Sequence, residues 1–246
     1  MIYKKAFKFN LGVKLLIFKK DKDNKNLNFF DKDLIEHAKL LFKFCRSLTG
    51  EGVRKTLKYF EEYHKEFSRI KVPSGTKVFD WKIPLEWNIK DAYIEHVESG
   101  RKYAKFDDSN LHLVGYSYPV NKVINYEELI PRIYTLPDQP NLIPYVTTYY
   151  KKDWGFCLSA DEKSKLPKGK YKVYIDSTLE KGHLDLSHAY LKGKKNYEIF
   201  FSSYVCHPSM LNNELSGPIL LAAVLQFLKN KYPKRKYSYR FVLHPE

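Results

Sequence analysis

Cys206-His207-Pro208-Ser209, followed by Asn212-Asn213-Glu214-Leu215-Ser216-Gly217, holds the densest set of groups able to do chemistry. It reads as a strand ending in a metal-ligand type of residue, a short polar loop, and a helix that starts at Ser216-Gly217-Pro218. Neutral imidazole is the commonest zinc ligand, and His207 stands at the carboxyl end of a strand, where α/β sheets build their sites. Asn213 and Glu214 lie just ahead of a helix N-terminus, which stabilises negative charge. A second strand finishes in His244-Pro245-Glu246, so Glu246 is predicted to reach the same sheet edge. Together these residues describe a metallohydrolase-like site.

Each residue also has a plainer reading. A lone histidine is more often a hydrogen-bonded packing residue than a ligand. His183 and His188 join a metal site only if they share a face, and an exposed polar loop explains them equally well. Cys206 is a poor candidate nucleophile, because a thiol buried on a strand is ordinarily inert. Leu215-Ser216-Gly217 lacks the leading glycine of a nucleophile elbow, which excludes a serine hydrolase of that type. No glycine loop of the phosphate-cradling kind is present.

The elements that must position these groups are legible in the periodicity. Tyr171–Ile175 and Tyr197–Val205 read as strands, the second so continuously apolar that both its faces are predicted to be covered. Residues 216–231 form an apolar helix stopped by Pro233, and Tyr237–Leu243 is the next strand. This strand-helix-strand order implies a parallel pair. Near the N-terminus, Leu34, Ile35, Ala38, Leu41, Phe42 and Cys45 recur at helical spacing as one buried face. Ser47-Leu48-Thr49-Gly50 breaks that helix, and Val53, Leu57, Phe60 and His64 mark a second. Between residues 76 and 168 short aromatic and β-branched runs alternate with Pro, Gly and Asn, a mainly β texture. The expected organisation is a basic extension over 1–29, an α/β domain from 30–75 and 169–246, and an inserted β-sandwich-like module over 76–168.

Composition narrows the setting. With 246 residues and 43% hydrophobic content the chain folds around a sizeable core. Three widely spaced cysteines form neither a disulfide framework nor a metal clip, which points to a reducing, cytoplasmic compartment. No apolar run reaches about 18 residues, so no membrane helix is expected. The net charge of +15 is uneven: Lys4, Lys5, Lys8, Lys14, Lys19 and Lys20 meet no acid in the first twenty residues. No nucleic-acid-binding motif accompanies that charge, so nucleic acid is not an expected partner.

The motif segment is similar to the first ligand region of the co-catalytic zinc aminopeptidases. More closely, the chain resembles a bacterial family of aminopeptidase-like proteins whose catalytic domain is interrupted by a β-sandwich. Matching segments include Cys45-Arg46-Ser47-Leu48-Thr49-Gly50, Val72-Pro73-Ser74-Gly75-Thr76, Phe79-Asp80-Trp81, Tyr134-Thr135-Leu136-Pro137, Trp154-Gly155-Phe156-Cys157 and Ile175-Asp176-Ser177. The resemblance implies a mixed or parallel sheet flanked by helices, one or two zinc ions, and a peptide or amide substrate. It puts His207 on a zinc-ligand position, Asn213 where a metal-bridging aspartate is usual, and Glu246 on the general-base position. Asn213 is neutral, so the resemblance leaves Glu214 as its substitute or the site with one metal. The family's remaining ligands fall beyond Glu246, so this chain is expected to be a catalytically silent fragment with a sheet edge left open after Leu243. With an apolar helix face also left bare around Ile219–Leu228, the isolated chain is expected to aggregate or need a partner, a homo-oligomer being one such outcome. The alternative from another class is a non-catalytic binding protein on the same scaffold.

Overall fold

The computed structural model describes residues 28–246. The basic extension expected over 1–29 therefore lies almost wholly outside the described residues. The helices α1 (Leu34–Phe42) and α2 (Glu51–Tyr63) lead into β1 (Phe67–Pro73). Two short strands, β2 (Lys77–Val78) and β3 (Trp81–Lys82), then open a mainly β stretch. It continues with β4 (Glu86–His96), β5 (Lys102–Tyr103), β6 (Val120–Asn125) and the single-turn α3 (Tyr126–Leu129). After these come β7 (Ile133–Tyr134), β8 (Phe156–Cys157), α4 (Ala160–Ser164) and β9 (Lys170–Glu180). The chain closes with β10 (His183–Leu191), β11 (Glu198–Tyr204), α5 (Ser216–Lys231) and β12 (Ser238–His244).

Two four-stranded sheets result. The first runs β1-β10-β12-β11, and the second runs β5-β4-β9-β6. In the first sheet only β11 and β12 are parallel; β10 lies antiparallel to both of its neighbours. The architecture is thus α/β with a mixed sheet flanked by helices. The chain enters the second sheet after β1 and leaves it at Lys181-Gly182, the two-residue turn from β9 to β10. Tyr171–Ile175, expected in the α/β part, consequently lies in β9, between β4 and β6 of the second sheet.

Burial explains where three sequence expectations fail. Phe200 and Tyr204 of β11 are 59% and 41% exposed, so β11 is an edge strand covered on one face only. Phe201, on the opposite face, packs into the core formed with α1, α2 and α5. The sheet edges are β1 and β11; the strand ending near Leu243 sits inside the sheet, between β10 and β11. On α1 the buried side chains are His37, Ala38 and Leu41, whereas Leu34, Ile35 and Phe42 are exposed. His37 goes inward because both ring nitrogens are satisfied there, by Phe29 O at 2.8 Å and the Tyr59 hydroxyl at 2.6 Å. On α5, Ile219, Leu221, Ala222 and Leu225 are buried, while Leu220 (57%) and Phe227 (39%) face out.

His64, at the end of α2, is fully buried beside Phe29 and Phe67. Neither ring nitrogen has a hydrogen-bond partner among the described residues. Burial, with help from Lys229, pulls its pKa from 6.5 down to about 4. A histidine whose folded pKa is depressed keeps its stability above pH 6.5 and loses it as pH falls toward 4. Chemical denaturation at pH 7 and pH 4.5 is expected to show a loss of up to about 3 kcal/mol, which His64→Phe flattens. An unchanged pH slope in His64→Phe would remove His64 as the cause.

Candidate metal centre

The parallel pairing of β11 with β12 sets Tyr204 opposite His244, and Val205 N–H then donates to His244 O at 3.0 Å. The two strands leave the sheet side by side, which brings His207 and Glu246 together. His207 Nε2 lies 2.9 Å from Glu246 Oε2 and 3.7 Å from Glu214 Oε1. Glu214 is fully buried and Glu246 is exposed. Glu214 is held by the Cys206 main chain, whose N–H donates to Oε2 at 2.7 Å. Its position at the mouth of α5 also suits the positive end of that helix. Gly217 lets the first turn of α5 descend onto β11, since a Cβ there would overlap Ser203 Oγ.

The other side of His207 is gripped from two directions. Arg46, 1% exposed, donates from Nε to His207 O at 2.9 Å and from Nη1 to Leu41 O at 2.7 Å. Burial pulls its guanidinium down to about 10, and the nearby Glu214 carboxylate opposes that shift. Tyr145, on the loop between β7 and β8, places its hydroxyl 2.9 Å from His207 Nδ1 and 2.6 Å from the Tyr149 hydroxyl. Burial pushes both phenols up, Tyr149 to about 12, so both stay protonated. A hydroxyl both donates and accepts, so Tyr145 serves either imidazole tautomer. When Nε2–H donates to Glu246, Tyr145 donates to Nδ1. When Nε2 offers its lone pair to a metal, Nδ1–H donates to Tyr145. This is the outer-shell arrangement that orients metal-bound histidines.

Cys206, His207 and Glu246 present a sulfur, a nitrogen and an oxygen within 4.8 Å of one another. Burial, followed by the Glu214 charge, pushes the Cys206 thiol up to about 12. It therefore stays a thiol at neutral pH, and its sulfur accepts the Glu246 N–H at 3.2 Å. Imidazole nitrogen and carboxylate oxygen are donors that suit zinc; His207 and Glu214 would supply two of its ligands, with Glu246 beside them.

The remaining sequence candidates are dispersed. Asn213 is exposed, and its amide donates to Met210 Sδ at 3.6 Å. His183 lies 3.3 Å from Asp185, in an ion-pair network with Arg54 and Glu86. His188, on the opposite face of β10, meets Arg240. Neither histidine contributes to the His207 cluster. Arg46, Tyr145 and Tyr149 carry no signal in periodicity, because long-range folding alone brings them to His207.

A family described as a domain of unknown function, DUF4910, matches residues 35–246. The chain belongs to the DUF4910 family. Among its relatives is a Clostridium acetobutylicum protein, 45% identical over 206 residues, which cover 84% of this chain and 46% of that protein. That relative's name assigns it provisionally to polysaccharide biosynthesis and gives it an aminopeptidase-like domain. A crystal structure from the same organism, described provisionally as a peptidase, superposes with TM-score 0.83 at 44% identity, covering 87% of this chain and 50% of that one. The DUF4910 chain thus spans about half the length of these relatives. More distantly, the Bacillus subtilis zinc aminopeptidase BSAP shares the fold at TM-score 0.51 and 9% identity, covering 86% of this chain and 61% of that one. An M28 peptidase precursor from Shewanella amazonensis does so at TM-score 0.52 and 10% identity, covering 87% and 63%.

Removing Arg46 strips His207 O and Leu41 O of their buried donor and takes away a positive charge whose field reaches Glu214. Arg46→Met is expected to cost roughly 3–5 kcal/mol of unfolding free energy, read by urea denaturation. A cost below about 1 kcal/mol would show that the buried arginine is not needed to hold the centre together.

Proposed function

We propose that this DUF4910 chain carries residues of a zinc-dependent hydrolase site for peptide or amide bonds. One observation carries the reading: His207 Nε2 faces a buried carboxylate and an exposed one, at 3.7 and 2.9 Å, while its Nδ1 is held by Tyr145. The aminopeptidase-like name of the 45%-identical relative supports it.

In this reading His207 and Glu214 hold the ion, and Glu246 is the base. A bound zinc would lower the pKa of its water and polarise a carbonyl. Glu246, open to solvent, takes the proton from the attacking water and returns it to the leaving amine. Glu214 contributes buried negative charge, and Tyr145 fixes the imidazole ring. Asn213 occupies the bridging position by resemblance, but its exposure and its Met210 contact favour a single-metal site. A catalytic zinc takes about three protein ligands plus water. Here His207 and Glu214 supply two, so the 246-residue chain is expected to bind metal without turning over substrate.

The second reading, a non-catalytic binding protein on the same scaffold, is favoured by the neutral amide of Asn213. Zinc titration followed by calorimetry separates the two. Wild-type chain is expected to take up one zinc, and His207→Ala to lose it. Tyr145→Phe should weaken binding about 10- to 100-fold by freeing Nδ1. Absence of stoichiometric zinc uptake by the wild type would sink the hydrolase reading.

A further inference from the structure

A second concavity, of about 830 Å³, opens on the second sheet between segments 82–85, 116–119, 148–152 and Leu179. Its walls are phenol rings. Tyr116 is buried, stacked on Trp87 at 5.7 Å and bonded to Thr49, so it is a fixed surface. Tyr149 stands edge-on to it at 5.2 Å, and Tyr150, 70% exposed, meets Tyr149 in a T-shaped contact at 6.5 Å. The rim carries Lys82, Lys151 and Lys152, all exposed, with Lys152 reaching over the Tyr118 ring. No carboxylate lines the groove among the described residues. Tyr149 belongs to both places: it forms a wall here, and its hydroxyl bonds Tyr145, which holds His207.

The groove selects against two kinds of occupant. An extended peptide docks by pairing its main chain with a free edge. Here the N–H groups of Ile83, Tyr118, Thr148 and Lys151 are already used, on Thr76, Asp153, Gly115 and Thr148. Phosphate-rich ligands favour the two-pronged donor of arginine, and no arginine among the described residues lines the groove. What remains is a ligand with flat, weakly polar ring faces to lie on tyrosines and single charges for lysine ammoniums to meet. We propose that this groove binds an acidic oligosaccharide, with sugar rings on Tyr150 and Tyr149 and uronate carboxylates on Lys151 and Lys152. The volume is in the range of small-ligand sites. A peptide or amide attached to such a glycan would then be presented to His207 through the shared Tyr149. That last link rests on the hydrolase reading, whereas glycan binding itself does not.

Calorimetric titration of the whole chain with hexagalacturonate tests this, with its methyl-esterified form, hexaglutamate and a hexathymidylate as the other arms. Hexagalacturonate is expected to bind, the neutral ester to bind at least about tenfold more weakly, and added salt to weaken only the charged form. Lys151→Glu combined with Lys152→Glu, and separately Tyr150→Ala, should each weaken binding by about tenfold or more, with unchanged melting temperatures because all three residues are exposed. His207→Ala should lose zinc and keep the glycan, so a failed metal site leaves the groove standing. No hexagalacturonate binding, binding indifferent to the lysine pair, or tighter binding of hexaglutamate or the hexathymidylate would overturn the proposal.

Discussion

Two parallel strands, β11 and β12, leave the first sheet in register, with Tyr204 opposite His244 and Val205 bonded to His244 O. That pairing sets the whole candidate centre, because parallel neighbours release their carboxyl ends at the same edge. An antiparallel pair would send the His207 and Glu246 loops to opposite ends of the sheet. The α5 crossover makes the parallel arrangement possible, and its buried face of Ile219, Leu221, Ala222 and Leu225 holds it against the sheet.

Around that edge the molecule concentrates buried charge. Arg46 and Glu214 are both removed from water, and each is tied to main chain, Arg46 to His207 O and Leu41 O, Glu214 to Cys206 N–H. Such hydrogen bonds and a nearby opposite charge offset part of the cost of burying an ion, although Arg46 Nη2 is left without a partner among the described residues. The centre also sits where two cores meet. Val205 packs with the first-sheet core and Cys206 with the second, and Tyr149, packed against the second, bonds Tyr145 beside His207. The mainly β part is therefore a structural wall of the site as well as a neighbour of it.

The helical face of α2 was readable from Val53, Leu57 and Phe60, all fully buried, because a 3.6-residue period translates directly into one face. The same rule misjudged α1, where His37 is inside and Ile35 outside, since periodicity does not register a histidine whose two nitrogens find partners. It misjudged β11 as well. A run of apolar residues says that a strand is hydrophobic, but only sheet order says whether it is an edge, and Phe200 and Tyr204 show that it is. At the centre, His207 and Glu214 were visible from the strand-loop-helix pattern and Glu246 from the end of the next strand, whereas Arg46 appeared only within a family-like segment, with no role, and Tyr145 had no local signature.

Sequence by itself determined the local chemistry: which residue can ligate, which carboxylates lie one loop away, which helix follows, and the membership of the chain in its family. These properties depend on residue type and near-neighbour spacing, which the covalent chain carries. Tertiary structure decided the rest. It turned Asn213 outward onto Met210, kept Glu214 inside, separated His183 and His188 from the centre, and brought Arg46 and Tyr145 from 161 and 62 residues away to the main-chain oxygen and the ring of His207. Contacts at such separations follow from sheet order and the packing of two cores, which no window along the chain contains.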